Sequence, residues 1–460
     1  MADFDAIVIG AGQGGGPLAG ALSRAGRKVA LIEREHVGGT CVNEGCTPTK
    51  TMVASARVAY VARRAAHYGV HVGEGDVSVD MKRIRERKDE VVTTFREGSE
   101  KSLTREENLE LLWGTAKFTG EKMVEVALND GGTQELNAET IVINAGQRPN
   151  IPPIEGLDSV PYLTSTSVME LDDVPEHLLV LGGGYIGLEF AQMVRRFGAD
   201  VTVVQRSSQL LPREDQDVAE TVADILRDDG ITVLLNSEAQ RVSNESGVSL
   251  TVKGEDGERT LQGSHILVAT GRKSNSDTLN LGATGVQVDK RGNIVVNSGL
   301  ETAVPGVYAI GDIKGGPAFT HISYDDHRIL KDNLLNGAKR TIEGRVVPYT
   351  VFMDPQLGHV GLNEKDAREA GYTVKVAKMP LSYAARAIEI DETRGLMKAV
   401  VDADTSQILG ATMLSFDGGE VVTIIQTAML GKLPYQVLRD SPFSHPTLAE
   451  SLNNLFSSFE

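Results

Sequence analysis

Residues 38–50 hold both cysteines of a 460-residue chain, Cys41 and Cys46, and end on Lys50. A disulfide that closes so short a loop removes little entropy from the unfolded chain, so stability is a weak reason for the pair. Zinc wants about four ligands, and no second Cys or His pair stands nearby. Two thiols need no further ligand to be oxidised and reduced in turn, so the spacing favours redox chemistry over two incidental thiols. Lys50 follows Cys46 by four residues. A helix running through Cys46, or starting just after it, therefore puts the ammonium on the face of the second sulfur. Pro48 suits the first turn of such a helix. Residues 49–66, rich in Ala, Val and Arg and without Gly or Pro, predict its continuation.

A second grouping lies at residues 443–450, where His445 and Glu450 stand five apart. A carboxylate that receives one imidazole N–H fixes the tautomer and makes the other nitrogen a better proton acceptor, which is useful beside a thiol. The plainer alternative is a histidine capping a turn.

Such groups need elements to hold them. Ala6-Ile7-Val8-Ile9 is an unbroken apolar run, and Gly10, Gly12 and Gly15 follow it as GxGxxG. Missing side chains there let backbone amides and a helix N-terminus approach a pyrophosphate. Pro17 is tolerated only near the first turn of the helix that follows. The next strand ends in Glu33, eighteen residues after Gly15, where a carboxylate accepts hydrogen bonds from a ribose diol. A second copy begins at Leu178 and runs through Gly182, Gly184 and Gly187 into a helix over residues 188–197 and a strand over residues 200–204. Two copies imply two dinucleotides. Where the first copy has Glu33, the second has Gln205 and Arg206, with Arg213 close by. Loss of the acid favours a 2′-phosphate, hence NADPH over NADH.

The strand ending Asn144-Ala145-Gly146 recurs as Ala269-Thr270-Gly271, and a further strand runs into Gly311-Asp312, an acid beside a glycine that lets a ligand close in. Residues 66–113 read as helical charge patterns and loops, and residues 115–143 as antiparallel strands around the turn Asn129-Asp130-Gly131-Gly132. Pro149, Pro152 and Pro153 mark a boundary. From about residue 338 a third unit predicts strands near residues 347–352, 373–379, 397–401 and 409–414.

Composition excludes several classes. Apolar residues make up 41% and charged residues 24%, and no apolar run approaches the eighteen or so needed to span a bilayer. The acidic start, Met1-Ala2-Asp3-Phe4-Asp5, lacks the basic region of an export signal, so the expected location is cytoplasmic. A net charge of -17 argues against nucleic-acid or acidic-membrane partners. The basic run Lys82, Arg83, Arg85, Arg87, Lys88 reads as the solvated face of a helix, because Glu86, Asp89 and Glu90 interleave with it.

Taken in this order the motifs resemble those of the flavoprotein pyridine nucleotide-disulfide reductases, which include dihydrolipoyl dehydrogenase, glutathione reductase and mercuric ion reductase. The likeness covers nearly the full length and rests on residues 10–15 with Glu33, residues 38–50, residues 182–189, Ala269-Thr270-Gly271, Gly311-Asp312 and His445-Pro446-Thr447 with Glu450. It implies an α/β fold with two Rossmann-like dinucleotide-binding domains and a C-terminal α+β dimerisation domain. By resemblance, residues 1–150 and 275–337 form the FAD-binding domain, 151–274 the NAD(P)-binding domain and 338–460 the interface domain. FAD would contact Gly10, Gly12, Gly15, Glu33, Gly39, Thr40, Lys50, Ala145, Gly146, Gly311 and Asp312. NADPH, with NADH as the alternative, would contact Gly182, Gly184, Gly187, Gln205, Arg206 and Gly271. Cys46 would be the flavin-side sulfur and Cys41 the interchange thiol. Tyr185 would gate the nicotinamide face, and Lys50 would pair with Glu189 near the flavin. His445, oriented by Glu450, would serve the Cys41 of the other subunit in a homodimer.

The implied reaction passes electrons from NADPH through FAD to the Cys41–Cys46 disulfide and on to a small disulfide substrate. The alternatives are reduction of a metal ion, or dihydrolipoyl dehydrogenase chemistry in the oxidative direction. A flavin-binding partner protein with an idle thiol pair is a third class. Thr47 and Thr49 depart from the residues usual between Cys46 and Lys50, which points to a mercuric-reductase-like branch. Residues 455–460 carry no cysteine pair, so high-affinity relay of a soft metal is not expected.

Overall fold

Strands that are apolar at every position need cover on both faces, and the opening pattern builds such a layer. In the computed structural model, which describes residues 2–73, 77–244 and 247–459, the chain begins with strand β1 (Ala2–Ile9), helix α1 (Gly15–Arg24) and strand β2 (Val29–Glu33). Helices α2 (Gly39–Asn43), α3 (Cys46–Arg64) and α4 (Met81–Leu103) follow, then strands β3 (Leu109–Gly120), β4 (Met123–Leu128) and β5 (Thr133–Ile143). Met1 and Glu460, named above as chain ends, lie outside the described residues. The chain divides into a first unit of residues 1–51, 85–150 and 271–345 and a second of residues 52–84, 151–270 and 346–460.

In the first unit β1 pairs parallel with β2 on one edge and with β5 on the other, and the strand Val307–Ala309 extends the layer beyond β5. Alternate residues of β1 go to opposite faces. Ile7 and Ile9 join Phe118, Val124 and Val126 of the antiparallel strands, whereas Ala6 and Val8 join Leu18 and Leu22 of α1 and Ile329 and Leu330 of the helix Thr320–Asn336. Burying an Ile or Val of this kind contributes roughly 1.5–3 kcal/mol, so both faces of β1 hold the unit together. β3 runs parallel to β2 over Leu109–Trp113 and antiparallel to β4 from Gly114 onward. β5 pairs with β4 over its first residues and with β1 over the rest.

The second unit has a four-stranded parallel sheet in the order His265–Val268, His177–Leu181, Asp200–Val204, Thr232–Leu234. A three-stranded antiparallel sheet is formed by Glu238–Asn244, Val248–Gly254 and Gly257–Gly263. A five-stranded antiparallel sheet is ordered Pro348–Val351, Gln356–Gly361, Ile408–Ser415, Leu396–Asp402, Val374–Pro380.

Three expectations are corrected. β3 begins at Leu109 and not at Thr115, because residues 109–113 are half-covered on the edge of β2 and show no clean alternation. The strand Gln356–Gly361 was not anticipated, since two glycines and a histidine interrupt its apolar pattern. A Cβ on Gly358 would lie 2.3 Å from Gly418 O, and His359 is satisfied by Thr412 Oγ1 at 2.9 Å and Gly361 O at 3.1 Å, so packing overrides propensity there. Lys88 is only 3% exposed and ion-paired to Asp89 at 2.8 Å, whereas Lys82, Arg83 and Arg87 do face solvent.

Within the second unit Arg196 is buried between Asp354 and Asp229, with its guanidinium 3.9 Å from the Tyr60 ring centroid. Arg57 also binds Asp354, and Arg394 binds Asp229 at 2.7 Å. Burial pushes the Asp354 carboxyl up, but Arg196 and Arg57 outweigh it and hold the group below its usual range. A depressed folded-state value contributes stability above the unfolded carboxyl's pKa of about 4 and loses it as pH falls through the folded value. Asp354→Asn is therefore expected to cost about 3 kcal/mol in urea unfolding at neutral pH. That difference should shrink below about pH 4, and a pH-independent difference would contradict the ionic account.

Candidate active site

The first glycine turn leaves no room for side chains. Gly10 has φ +101° and an added Cβ would lie 2.5 Å from Asn144 O, while a Cβ on Gly15 would lie 2.1 Å from Gly10 O. Glu33, at the end of β2, accepts the Ala11 N–H at 2.9 Å, so its carboxylate already reaches the turn. Asn144, 8% exposed, donates from Nδ2 to Gly10 O at 3.1 Å. It also lines the spaces that Cβ atoms on Gly12 and Gly311 would enter. Sequence reasoning quoted Asn144 as part of a strand ending and missed this role; a polar residue closing an apolar strand was the available signal.

The thiol segment is seated directly on this turn. Gly38 N–H donates to Ala11 O at 2.9 Å, Gln13 Nε2 to Gly38 O at 3.1 Å, and a Cβ on Gly39, at φ +61°, would lie 2.7 Å from the Gly12 Cα. Asn43 ties α2 back on itself, donating to Val37 O at 3.0 Å and Gly39 O at 2.9 Å, and Arg96 of α4 holds its Oδ1 at 2.7 Å. Thr40 and Cys41 lie in α2. Cys46 opens α3, which puts Lys50 one turn further along the same helix, as the spacing predicts.

Both cysteines are free thiols, Cys41 half-buried and Cys46 exposed. A hydrogen bond with Cys46, then burial, then the Cys46 charge all push the Cys41 thiol up, against smaller opposing effects of the Thr320 hydroxyl and the Lys50 ammonium. Thr320 Oγ1 lies 3.4 Å from Cys46 Sγ. Sequence alone gave no signal for this residue, which is 274 positions away.

Behind the turn, Gly311 has φ +69° and donates to Asp326 Oδ2 at 2.8 Å. Asp326 is fully buried and paired with Lys314 at 3.2 Å and Arg345 at 2.9 Å. Burial pushes the Asp312 carboxyl up, opposed by Arg272 and Lys314. That carboxylate has no hydrogen-bond partner among the described residues, so it fits a ligand hydroxyl. Asn275 holds Ala145 O at 2.7 Å and Gly146 O at 3.1 Å, the latter through its own N–H.

The second turn repeats the first in detail. Gly182 has φ +106° with its Cβ position 2.5 Å from Ala269 O, and a Cβ on Gly187 would lie 2.2 Å from Gly182 O. Gly184, with open space around its Cβ position, caps the helix Tyr185–Phe197. Gln205 Oε1 accepts the Gly183 N–H at 2.9 Å, the same bond that Glu33 makes with Ala11, without the charge. Arg206 and Arg213 are exposed, and Gly271 holds φ +114°. Tyr185 is 36% exposed, while Glu189, one turn on, is buried and accepts the Phe352 N–H at 2.8 Å. His445 Nδ1 faces Glu450 at 2.8 Å and 3.1 Å, the expected tautomer-fixing contact, and its ring is exposed. The first unit thus contains Gly10, Gly12, Gly15, Glu33, Gly39, Thr40, Cys41, Cys46, Lys50, Ala145, Gly146, Gly271, Gly311 and Asp312, and the second contains Gly182, Gly184, Tyr185, Gly187, Glu189, Gln205, Arg206, His445 and Glu450.

A family model described as pyridine nucleotide-disulphide oxidoreductase matches residues 4–326, and one for the dimerisation domain of that family matches residues 347–456. The chain is 39% identical over 461 residues to the probable pyridine nucleotide-disulfide oxidoreductase RclA of Escherichia coli, covering 99% of both. It is 37% identical over 451 residues to a mercuric reductase of Streptomyces lividans, covering 98% of this chain and 94% of the relative. A dihydrolipoyl dehydrogenase of Haloferax volcanii is 33% identical over 453 residues, with 97% and 94% covered. Among solved structures, the Cu(II) complex of the HOCl-induced flavoprotein disulfide reductase RclA superposes with a TM-score of 0.90 at 39% identity over 99% of each chain.

Gly39→Ala adds a methyl against Gly12 at a left-handed φ. The expected loss is about 1–3 kcal/mol, read as a lower thermal midpoint, and an unchanged midpoint would mean that α2 is free to lift off the turn.

Proposed function

Since the chain belongs to the pyridine nucleotide-disulphide oxidoreductases, we propose that it is an NADPH-dependent reductase of a small external disulfide, working through Cys41 and Cys46. The observation that carries this reading is the hydrogen-bonded thiol pair of Cys41 and Cys46 on the segment seated against the first glycine turn. Family membership brings FAD, a pyridine nucleotide and a dimerisation domain. Among the described residues no helix is long and apolar enough to cross a membrane. A reducing compartment such as the cytosol suits the proposed chemistry.

Residues 1–150 and 275–337 are assigned to FAD, 151–274 to the nucleotide and 338–460 to the interface. The N-terminus of α1 and Gly10, Gly12 and Gly15 would hold the FAD pyrophosphate, Glu33 its adenosine ribose and Asp312 its ribityl chain. The turn from Gly182 to Gly187 would hold NADPH, with Arg206 and Arg213 at the 2′-phosphate. Bound there, FAD would supply the two-electron redox chemistry that links a nicotinamide to the Cys41–Cys46 disulfide. Lys50 and Glu189 would steady charge near the flavin, and Tyr185 would cover the nicotinamide site.

Breaking the internal S–S bond leaves a thiolate on Cys46 and a thiol on Cys41. Cys41 must lose its proton before it attacks, and the partner subunit's His445, its tautomer fixed by Glu450, accepts that proton. The Cys41 thiolate then attacks the external disulfide, forming a mixed disulfide and expelling a thiolate that His445 protonates. Cys46 attacks Cys41 Sγ, releases the second substrate thiolate and re-forms the internal bond.

A second reading, reduction of a soft metal ion, is favoured by the exposed Cys46 sulfur and by the mercuric reductases and the Cu(II) complex among similar proteins. NADPH oxidation driven by Cu(II) or Hg(II), with no disulfide active, would decide for it.

Cys41→Ser is expected to abolish disulfide turnover while NADPH still bleaches the flavin absorbance under anaerobic conditions; undiminished turnover would refute the reading. His445→Gln should lower turnover by about 10²–10⁴-fold and leave flavin bleaching intact in stopped flow. Equal loss in both half-reactions would remove His445 from the proton step.

A further inference from the structure

Residues 205–215 link the strand Asp200–Val204 to the helix Gln216–Asp228 and carry Arg206 and Arg213, both exposed. A surface connection of this length is ordinarily mobile. This one is fastened at both ends. On the turn side, Leu211 N–H donates to Gly183 O at 2.9 Å, and the fully buried Leu210 fills the space where a Cβ on Gly183 would sit. Leu211 holds φ +44°, a left-handed conformation that a residue with a side chain keeps only under external constraint. Gln209 Nε2 closes the loop on itself by donating to Glu214 O at 3.0 Å.

On the other side the fastening comes from the C-terminal part of the chain. Asn363 Nδ2 donates to Arg213 O at 2.7 Å, and the Asp215 carboxylate accepts the Glu364 and Lys365 N–H groups at 3.0 Å and 3.3 Å. Lys398, on the buried strand Leu396–Asp402, places Nζ 2.9 Å from Asp215, 3.0 Å from Asp217 and 3.0 Å from Glu364, with its side chain 5% exposed. Lys378 reaches Asp217 as well, at 2.9 Å. A buried ammonium is tolerated only where several acceptors converge, and here they arrive from the loop end, the helix after it and the helix Glu364–Glu369. The segment after Glu33 is tied as well, by Asn129 Nδ2 donating to Arg34 O at 2.9 Å, but the ammonium of Lys398 with its converging carboxylates is particular to the second copy among the described residues.

We propose that Lys398 and Asn363 are positioning residues for pyridine-nucleotide selection, holding residues 205–215 so that Arg206 and Arg213 stand preordered for a 2′-phosphate. The C-terminal sheet is then a determinant of NADPH over NADH, at a distance from the phosphate itself. Guanidiniums on a fixed backbone lose less freedom on binding an anion, and that saving applies only to the nucleotide that carries the 2′-phosphate. The inference rests on the NADPH reading above.

The test uses the FAD-loaded full-length protein with ferricyanide as acceptor, so that the natural substrate does not enter. KM and kcat are measured for NADPH and NADH in Asn363→Ala, Lys398→Met and Lys398→Arg. The NADPH KM is expected to rise about tenfold in the first two and stay within about twofold in the third. The NADH KM and both kcat values should hold. Equal rises for the two nucleotides, or an unchanged NADPH KM in Asn363→Ala, overturn the inference; the latter variant decides alone if Lys398→Met does not fold. Arg206→Gln separates the premise from the inference. An NADPH KM unmoved by that change removes the NADPH reading and this inference together, whereas a rise there with no change in Asn363→Ala removes this inference only.

Discussion

The close approach of Gly39 to Gly12 is the constraint on which the site depends. Two backbones meet where neither tolerates a Cβ, and the thiol-bearing α2 is thereby laid against the first glycine turn. A contact between two glycine backbones is rigid, because nothing at the junction rotates. The hydrogen bonds from Gly38 to Ala11 and from Gln13 to Gly38 fix the register of that contact. Thr320 and Lys50 then act on a sulfur pair whose position is already set.

The duplicated turn shows how one geometry is put to two uses. Glu33 and Gln205 make the same bond to the turn, at the same 2.9 Å, so the fold requires an acceptor at that place and is indifferent to its charge. Charge at that position is left free to select the ligand. A carboxylate welcomes a ribose diol and repels a phosphate, whereas a neutral amide followed by arginine does the reverse. Both segments are tied down by side-chain amides on their carbonyls, Asn129 on Arg34 O and Asn363 on Arg213 O, and the loop after Gln205 is held in addition through Asp215 and Lys398.

Much of this was legible in the chain because the informative residues are local. Glycine spacing, the Cys41–Cys46 interval, the i to i+4 step to Lys50 and the five-residue step from His445 to Glu450 each specify geometry within one or two turns. The structure reproduces those relations. The residues that escaped reading act across long separations. Thr320 meets Cys46 from the start of a distant helix, Asn144 reaches back to Gly10, Asp326 waits behind Gly311, and Lys398 gathers acids from three elements. The strand Gln356–Gly361 was misread because packing against the distant Gly418 outweighed the local pattern, and Lys88 because its burial does not follow from the charges around it in sequence.

Within one six-stranded sheet, β3 and β5 each change partner along their length, pairing parallel with β2 or β1 at one end and antiparallel with β4 at the other. The β4 excursion is therefore not an ornament inserted into a Rossmann-like core. Its hydrogen-bond ladder continues into the strands that carry β1, so the region melts as a single cooperative block and offers no seam at which evolution or an engineer could excise the hairpin and keep the cofactor platform.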